Sequence, residues 1–201
     1  TTATLNADAT INVGGNAKVD TLTIAGTTDL DVTGNFETVN ATLTGAADVN
    51  VKGNFTAKTV TAKDTLTLTV TGTATAETIT VAKDMTATAA TLNVTDKLTV
   101  GGNATITATT VDVAAGEVSG NATIDAETAK FNTLSVTKDL TANVKTLTVT
   151  DKLDVDGNAT ITATADITVT TAEIAGTADI SAANATITTL TVDGVAKVTT
   201  T

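Results

Sequence analysis

The chain has 201 residues, 41% of them hydrophobic, and its 11 basic and 22 acidic residues give a formal charge of −11. This balance disfavours nucleic-acid binding. The absence of Cys and His excludes disulfides, thiolate metal sites and catalytic triads that need a thiol or an imidazole. With three Phe, one Met and no Trp or Tyr, the core must consist of small and β-branched side chains, and abundant Thr, Val and Ile favour extended backbone. The composition therefore predicts an all-β protein.

A repeat of 18 or 19 residues runs along the chain. The near-identical stretches DKLTVGGNATITAT (96–109) and DKLDVDGNATITAT (151–164) lie three intervals apart. Each interval holds about three short alternating segments, and a two-residue turn follows each marker residue. The pattern predicts a parallel β-helix (β-solenoid) of about ten coils with three short strands per coil, forming one domain over 1–201. The markers are Leu5, Ile24, Leu43, Ala62, Val81, Val100, Val118, Val136, Val155, Ile174 and Val192.

Equivalent positions of successive coils should lie directly above one another. Phe36 and Phe55, 19 residues apart, are predicted to stack as an inward ring pair. Asparagines recur at turns, where their amides can bond to the backbone and where Asn tolerates a left-handed conformation. Coil pattern is present over 1–13 and over 190–198, so both ends are predicted to be uncapped. The expected asparagine columns are Asn16, Asn35 and Asn54, and Asn103 and Asn121 with Asn158 two coils later.

Carboxylates are the remaining candidates for chemistry. Asp29 and Asp31 share a strand face, and Asp154, Asp156 and Asn158 resemble half of a calcium loop that lacks its distal Glu. A paired-carboxylate glycosidase would be expected to offer Trp or Tyr platforms for sugars, which are absent. The sequence thus predicts no catalytic, cofactor-binding or metal-binding residue. The serines, none with a candidate base beside it, are Ser119, Ser135 and Ser181.

Lys-Asp and Asp-Lys dipeptides at turns are predicted to form ion pairs between coils that hold register. They are Lys63-Asp64, Lys83-Asp84, Asp96-Lys97, Lys138-Asp139 and Asp151-Lys152. Asn-x-Thr glycosylation sequons occur as well, a weak signal in a chain so rich in Thr. They lie at Asn40, Asn54, Asn93, Asn103, Asn121, Asn158 and Asn184.

Thr-x-Thr repeats raise an ice-binding hypothesis, since a flat threonine array on a solenoid could order water. On the strand that ends at each marker, the outward pairs are Thr21/Thr23, Asn40/Thr42, Thr59/Thr61 and Thr78/Thr80, until Lys97 interrupts them. On the following strand the pairs are Thr67/Thr69, Thr86/Thr88 and Thr105/Thr107, until Asp125. Because both arrays are interrupted, ice binding is an alternative that thermal hysteresis would decide.

The 19-residue period, the G-N-A-x-I and x-L-x-V elements and the Thr-rich, cysteine-free composition resemble secreted β-helix proteins of the filamentous-haemagglutinin type, and also surface-layer and adhesin proteins of prokaryotes. This resemblance covers the whole chain and implies a right-handed, extracellular, cell-surface β-helix. Bactofilin-type cytoskeletal solenoids share the coil length but tend to be richer in Gly and charged residues.

The function expected from these features is a non-catalytic structural protein that stacks head to tail through its open solenoid ends into an extracellular filament or surface layer. Its partner is then another copy of itself, with no nucleic acid, no membrane insertion and room for a cell-surface glycan or receptor. An adhesin stalk segment, an ice-binding solenoid and a bactofilin-like cytoskeletal filament are the alternatives.

Overall fold

A computed structural model describes residues 1–200, which form seventeen β-strands and no helix. Every strand pairs in parallel with strands of the coils before and after it, within one continuous sheet. The strands are β1 (Thr2–Leu5), β2 (Ala9–Val13), β3 (Ala17–Ile24), β4 (Thr28–Val32), β5 (Phe36–Leu43), β6 (Ala47–Val51), β7 (Phe55–Ala62), β8 (Leu66–Val81), β9 (Met85–Val100), β10 (Ala104–Val118), β11 (Ala122–Val136), β12 (Leu140–Val155), β13 (Ala159–Ala163), β14 (Asp166–Ile174), β15 (Ala178–Ala182), β16 (Asn184–Val192) and β17 (Ala196–Thr200).

Each coil has three flat faces. In the coil that starts at Leu66 these are face A (66–70), face B (74–76) and face C (78–81), joined by corner AB (71–73), corner BC (77) and corner CA (82–84). On face C the predicted markers pair in order, beginning with Leu5 on Ile24 and Ile24 on Leu43. The predicted parallel β-solenoid of about ten coils is therefore confirmed, whereas its right-handedness stays a prediction.

Coil length varies only at the corners, so the faces keep their register. Corner AB has three residues at 71–73 but two at 90–91, and corner BC has one residue at 77 but two at 95–96. The two changes cancel in the coil that starts at Met85, which keeps 19 residues, whereas the next two coils lack the second change and have 18. The lengthened corner BC returns at 150–151, which is why the DKL stretches resemble each other.

Two details of the sequence-based prediction were wrong. The turn after each marker has three residues, as at 25–27, because corner CA must carry the chain from face C to face A. In the middle of the solenoid, corners AB and BC bend so gently that β8 to β12 run unbroken for 15 or 16 residues. No residue of 1–200 has a positive φ, so Asn is not placed at the corners for its tolerance of left-handed backbone.

The core consists of inward rows that alternate with outward polar rows, as the pleat of a strand requires. Phe36 and Phe55 are buried with ring centroids 5.6 Å apart and planes tilted by 43°, which confirms the predicted ring pair. The third ring, Phe131, lies above Gly116, whose missing side chain leaves space for it. The interior void beside Phe36 and Phe55 is about 10 Å³, too small and too apolar to hold a ligand.

Candidate functional surfaces

Side-chain amides and carboxylates form ladders at two corners. At corner AB, Asn16 Oδ1 accepts a hydrogen bond from Asn35 N at 2.8 Å, and Asn35 Oδ1 accepts one from Asn54 N at 2.8 Å. The predicted columns are confirmed, but the sequence analysis missed that aspartates belong to the second one. Aspartate can take the same place because only an acceptor oxygen is needed. The corner CA ladder runs through Asp84, Asn103, Asn121, Asp139, Asn158 and Thr177.

Glycine makes room for these ladders. At Gly102 an added Cβ would lie 2.3 Å from Asp84 Oδ1, and at Gly53 it would lie 2.4 Å from Asn35 Oδ1. The residue after each glycine donates the ladder hydrogen bond, and these bonds measure 2.7 to 2.9 Å. Where Lys138 stands in place of glycine, the bond from Asp139 N to Asn121 Oδ1 lengthens to 3.1 Å. The repeated Gly-Asn dipeptide thus has a structural role.

Ion pairs join neighbouring coils, as predicted, although only one of the predicted dipeptides pairs with another. Lys83 Nζ lies 2.7 Å from Asp64 Oδ2, and this ion pair, with the N–H of Thr65, lowers the pKa of Asp64. Lys97 instead contacts Glu117 at 2.7 Å, and Lys152 contacts Glu173 at 2.7 Å. Hydrogen bonds from Lys152 to Glu173 and to Asp154 raise the pKa of Lys152. These pairs are exposed, so each contributes little to stability.

The carboxylates suggested by the sequence remain on the surface. Asp29 and Asp31 point outward from β4, where Asp29 pairs in register with Asp48 of the next coil. Asp154 contacts Lys152 at 3.2 Å, and Asn158 belongs to the corner CA ladder. Among residues 1–200 no group of three or more acidic side chains could hold a metal ion. The half calcium loop therefore gains no further ligand from folding.

The serines and sequons are dispersed in the same way. Ser135 and Ser181 point outward from β11 and β15, and Ser119 lies at a corner CA. Among the sequon asparagines, Asn184 is exposed, but its Nδ2 donates to Asp166 Oδ1 at 2.9 Å. Four of the others already belong to the ladders, where a glycan would have to replace or bypass a structural contact: Asn54, Asn103, Asn121 and Asn158.

Threonine columns are the most extended regular feature of the surface. On face C, pairing in register stacks one column of six threonines, and on face A it stacks another that continues beyond Asp125. The sequence analysis missed this continuation because the coils there shorten by one residue at the corners and the spacing changes. The face C column is Thr4, Thr23, Thr42, Thr61, Thr80 and Thr99. The face A column is Thr67, Thr86, Thr105, Thr123, Thr141 and Thr160.

No protein family, characterised protein or solved structure matches this chain. The residues described include no helix long and apolar enough to cross a membrane.

The first and last coils of the described residues expose the rows that are buried elsewhere. Leu5 is 38% exposed, whereas Ile24 directly above it is fully buried. At the other end Val198 is 45% and Val195 is 68% exposed. Each end also presents strand edges whose backbone groups pair on one side only.

Proposed function

We propose that this chain is a non-catalytic structural subunit that stacks head to tail with further copies into an extracellular filament or surface layer. The observation that carries the proposal is the pair of apolar, strand-edged surfaces at the first and last coils. Unpaired backbone edges recruit strands, and apolar rows favour burial, so two such surfaces of the same periodicity suit each other.

A second copy can continue the existing registers across the junction. Face C of its first coil, Thr2–Leu5, would lie over residues 189–192, and its β2 would lie over β17, the last face A strand. This arrangement brings Leu5 over Val192 and Ile11 over Val198, apolar on apolar, in the manner of the pairs inside the chain. The stacked strands would be about 4.8 Å apart, as in any parallel pair.

Electron microscopy of the purified chain over a range of concentrations tests the proposal. Fibres one solenoid wide are expected, and Val198→Lys should abolish them because it places a charge in the junction. The matched control is Thr199→Lys, whose side chain points outward from the same strand and should leave assembly intact. Circular dichroism checks that both variants fold. Wild-type protein that remains monomeric at high concentration, or fibres that form equally well from Val198→Lys, would overturn the proposal.

Extracellular location and the absence of catalysis belong to the same proposal. The resemblance to secreted β-helix proteins supports the location, and the dispersal of carboxylates and serines over separate coils supports a structural role. A bactofilin-like filament would assemble similarly but inside the cell. Fractionation of the source cells with an antibody to the chain separates the two locations, and recovery in the cytoplasm would favour the bactofilin-like alternative.

A further inference from the structure

Face A of six successive coils carries a flat array of outward threonines. The inner column of the array consists of the six face A threonines that begin at Thr67 and end at Thr160. The second column, two residues further along each strand, holds Thr69, Thr88, Thr107, Asp125, Asn143 and Thr162. All twelve side chains are exposed or half-buried, and ten of them are threonines.

The array is almost free of charge. Lysines of these coils lie on the other faces or at the corners, as Lys97, Lys130 and Lys152 do. Asp125 is the single ionisable group, and its Oδ1 accepts a hydrogen bond from Asn143 Nδ2 at 2.9 Å, so the two side chains are held together within the face. The side-chain hydrogen bonds found within residues 1–200 involve no hydroxyl of the ten threonines. Those hydroxyls are free to bind water.

The backbone holds these hydroxyls in a regular grid. On each strand the outward pair is bracketed by three inward residues, as Thr67 and Thr69 are by Leu66, Leu68 and Val70, all buried. The grid repeats at about 4.8 Å between strands and about 6.6 Å along each strand. Two water molecules that hydrogen-bond to one tetrahedral neighbour at about 2.75 Å each lie about 4.5 Å apart, which is close to the strand repeat.

We propose that this threonine face binds ice. A rigid grid that alternates hydroxyls with methyl groups can hold water in an ice-like arrangement at little entropic cost, because the side chains are ordered before binding. A charged surface would instead hold water in hydration shells centred on its ions. The inference does not depend on the proposed filament, since face A lies on the side of the rod and would stay exposed after end-to-end stacking.

Face C is less suited to the same role. Its threonine column has a partner column interrupted by Asn40 and then by Lys97, which forms an ion pair with Glu117. Its outward pair is also bracketed less completely, because the first member borders corner BC instead of an inward residue of the same face. The two faces therefore provide an internal comparison of array quality.

Thermal hysteresis of the full chain, supported by inhibition of ice recrystallisation, is the test. Thr105→Lys places a charge at the centre of the array and should reduce hysteresis at least fivefold. Thr61→Lys makes the same change on face C, and Thr56→Lys makes it on face B, and both should retain the wild-type value. Folded wild-type protein without hysteresis would overturn the inference, and so would activity lost in Thr61→Lys but kept in Thr105→Lys.

A gain of function provides a second, independent measurement. The double variant Asp125→Thr with Asn143→Thr would complete both columns over all six coils and is expected to increase hysteresis about twofold. Both positions are on the surface, so the solenoid should fold as before, which circular dichroism would verify. An unchanged or lower hysteresis in the folded double variant would show that the threonine grid is not the contact surface.

Discussion

The N-terminal half (1–81) and the C-terminal half (82–200) stack their coils through the same hydrogen bond at different corners. In the N-terminal half the ladder of Asn16, Asn35 and Asn54 occupies corner AB. From Asp84 onward the ladder occupies corner CA. The change coincides with the shortening of corner AB from three residues to two at 90–91.

The comparison shows what a ladder requires. Corner CA keeps three residues in every coil, and each ladder step uses the third residue of a three-residue corner as acceptor, usually with glycine before the donor. Asp8 shows that the device is local, since its Oδ1 accepts from Thr27 N at 2.7 Å at corner CA within the N-terminal half. A three-residue corner with room for a side-chain oxygen decides where the ladder forms.

The largest effect is expected in the core, where the halves differ in how they fit a ring. Phe131 of the C-terminal half is fully buried above Gly116, so Phe131→Ala should lower the free energy of unfolding by about 3–5 kcal/mol. Chemical denaturation monitored by circular dichroism measures this.

Gly116→Val tests the proposed fit between Phe131 and the glycine below it. Alone it should cost about 1–3 kcal/mol, because the added Cβ would lie 3.0 Å from Leu134 Cδ1 and 3.6 Å from the Phe131 ring. Combined with Phe131→Val, the two costs should sum to less than additivity predicts. Strict additivity would mean that the glycine does not serve the ring.

Glycine substitutions at the two ladders test whether the halves are equivalent. Gly53→Ala and Gly102→Ala should each destabilise the fold by about 1–3 kcal/mol, because the new Cβ would overlap a ladder oxygen and the backbone below it. Gly15→Ala is the matched control, since nothing lies within 4 Å of its added Cβ and its φ is not positive. The control should be neutral or stabilising by about 0.4–1 kcal/mol. Equal effects at all three positions would refute the fitted-ladder interpretation.

Removal of single ladder acceptors should have smaller effects. Asn35→Ala and Asn121→Ala each leave one backbone N–H of the next coil without its acceptor, at an expected cost of about 0.5–1.5 kcal/mol. Thermal unfolding and hydrogen exchange at Asn54 and Asp139 would detect this loss. Asn50→Ala, on the outward side of face A, serves as the control. A cost confined to one half would show that one ladder is dispensable.

The sequence predicts the architecture because the period is carried by residues whose environment repeats. Inward positions must be apolar and corner positions must admit a ladder, so the markers and the Phe36 and Phe55 pair could be placed before folding was known. The Asp-for-Asn exchange at Asp139 was missed because residue identity was read where only acceptor chemistry matters.

The surface could be predicted only in part, since outward columns depend on the cumulative length of every corner. One residue lost at corner AB changes the linear spacing of Thr105 and Thr123 to 18 while leaving them directly paired. The full threonine column therefore became visible only with the pairing register. The choice of ion-pair partners, such as Lys152 with Glu173, depends on side-chain reach and follows no simple spacing.

Acid should act on the N-terminal half first. Hydrogen bonds from Thr27 to Asp8, and from Lys83 and Thr65 to Asp64, lower the pKa of both carboxyls below the ordinary value of 3.8. A carboxyl with a lowered folded-state pKa stabilises the fold above its unfolded pKa, and this stabilisation disappears as the pH falls through the folded value. The thermal midpoint should accordingly drop between about pH 4 and pH 2, with earlier loss of amide protection in the N-terminal half. Asp64→Asn should flatten that profile, whereas Asp96→Asn, which removes a carboxylate that forms no ion pair within residues 1–200, should not; a uniform loss of protection in both halves would contradict the assignment.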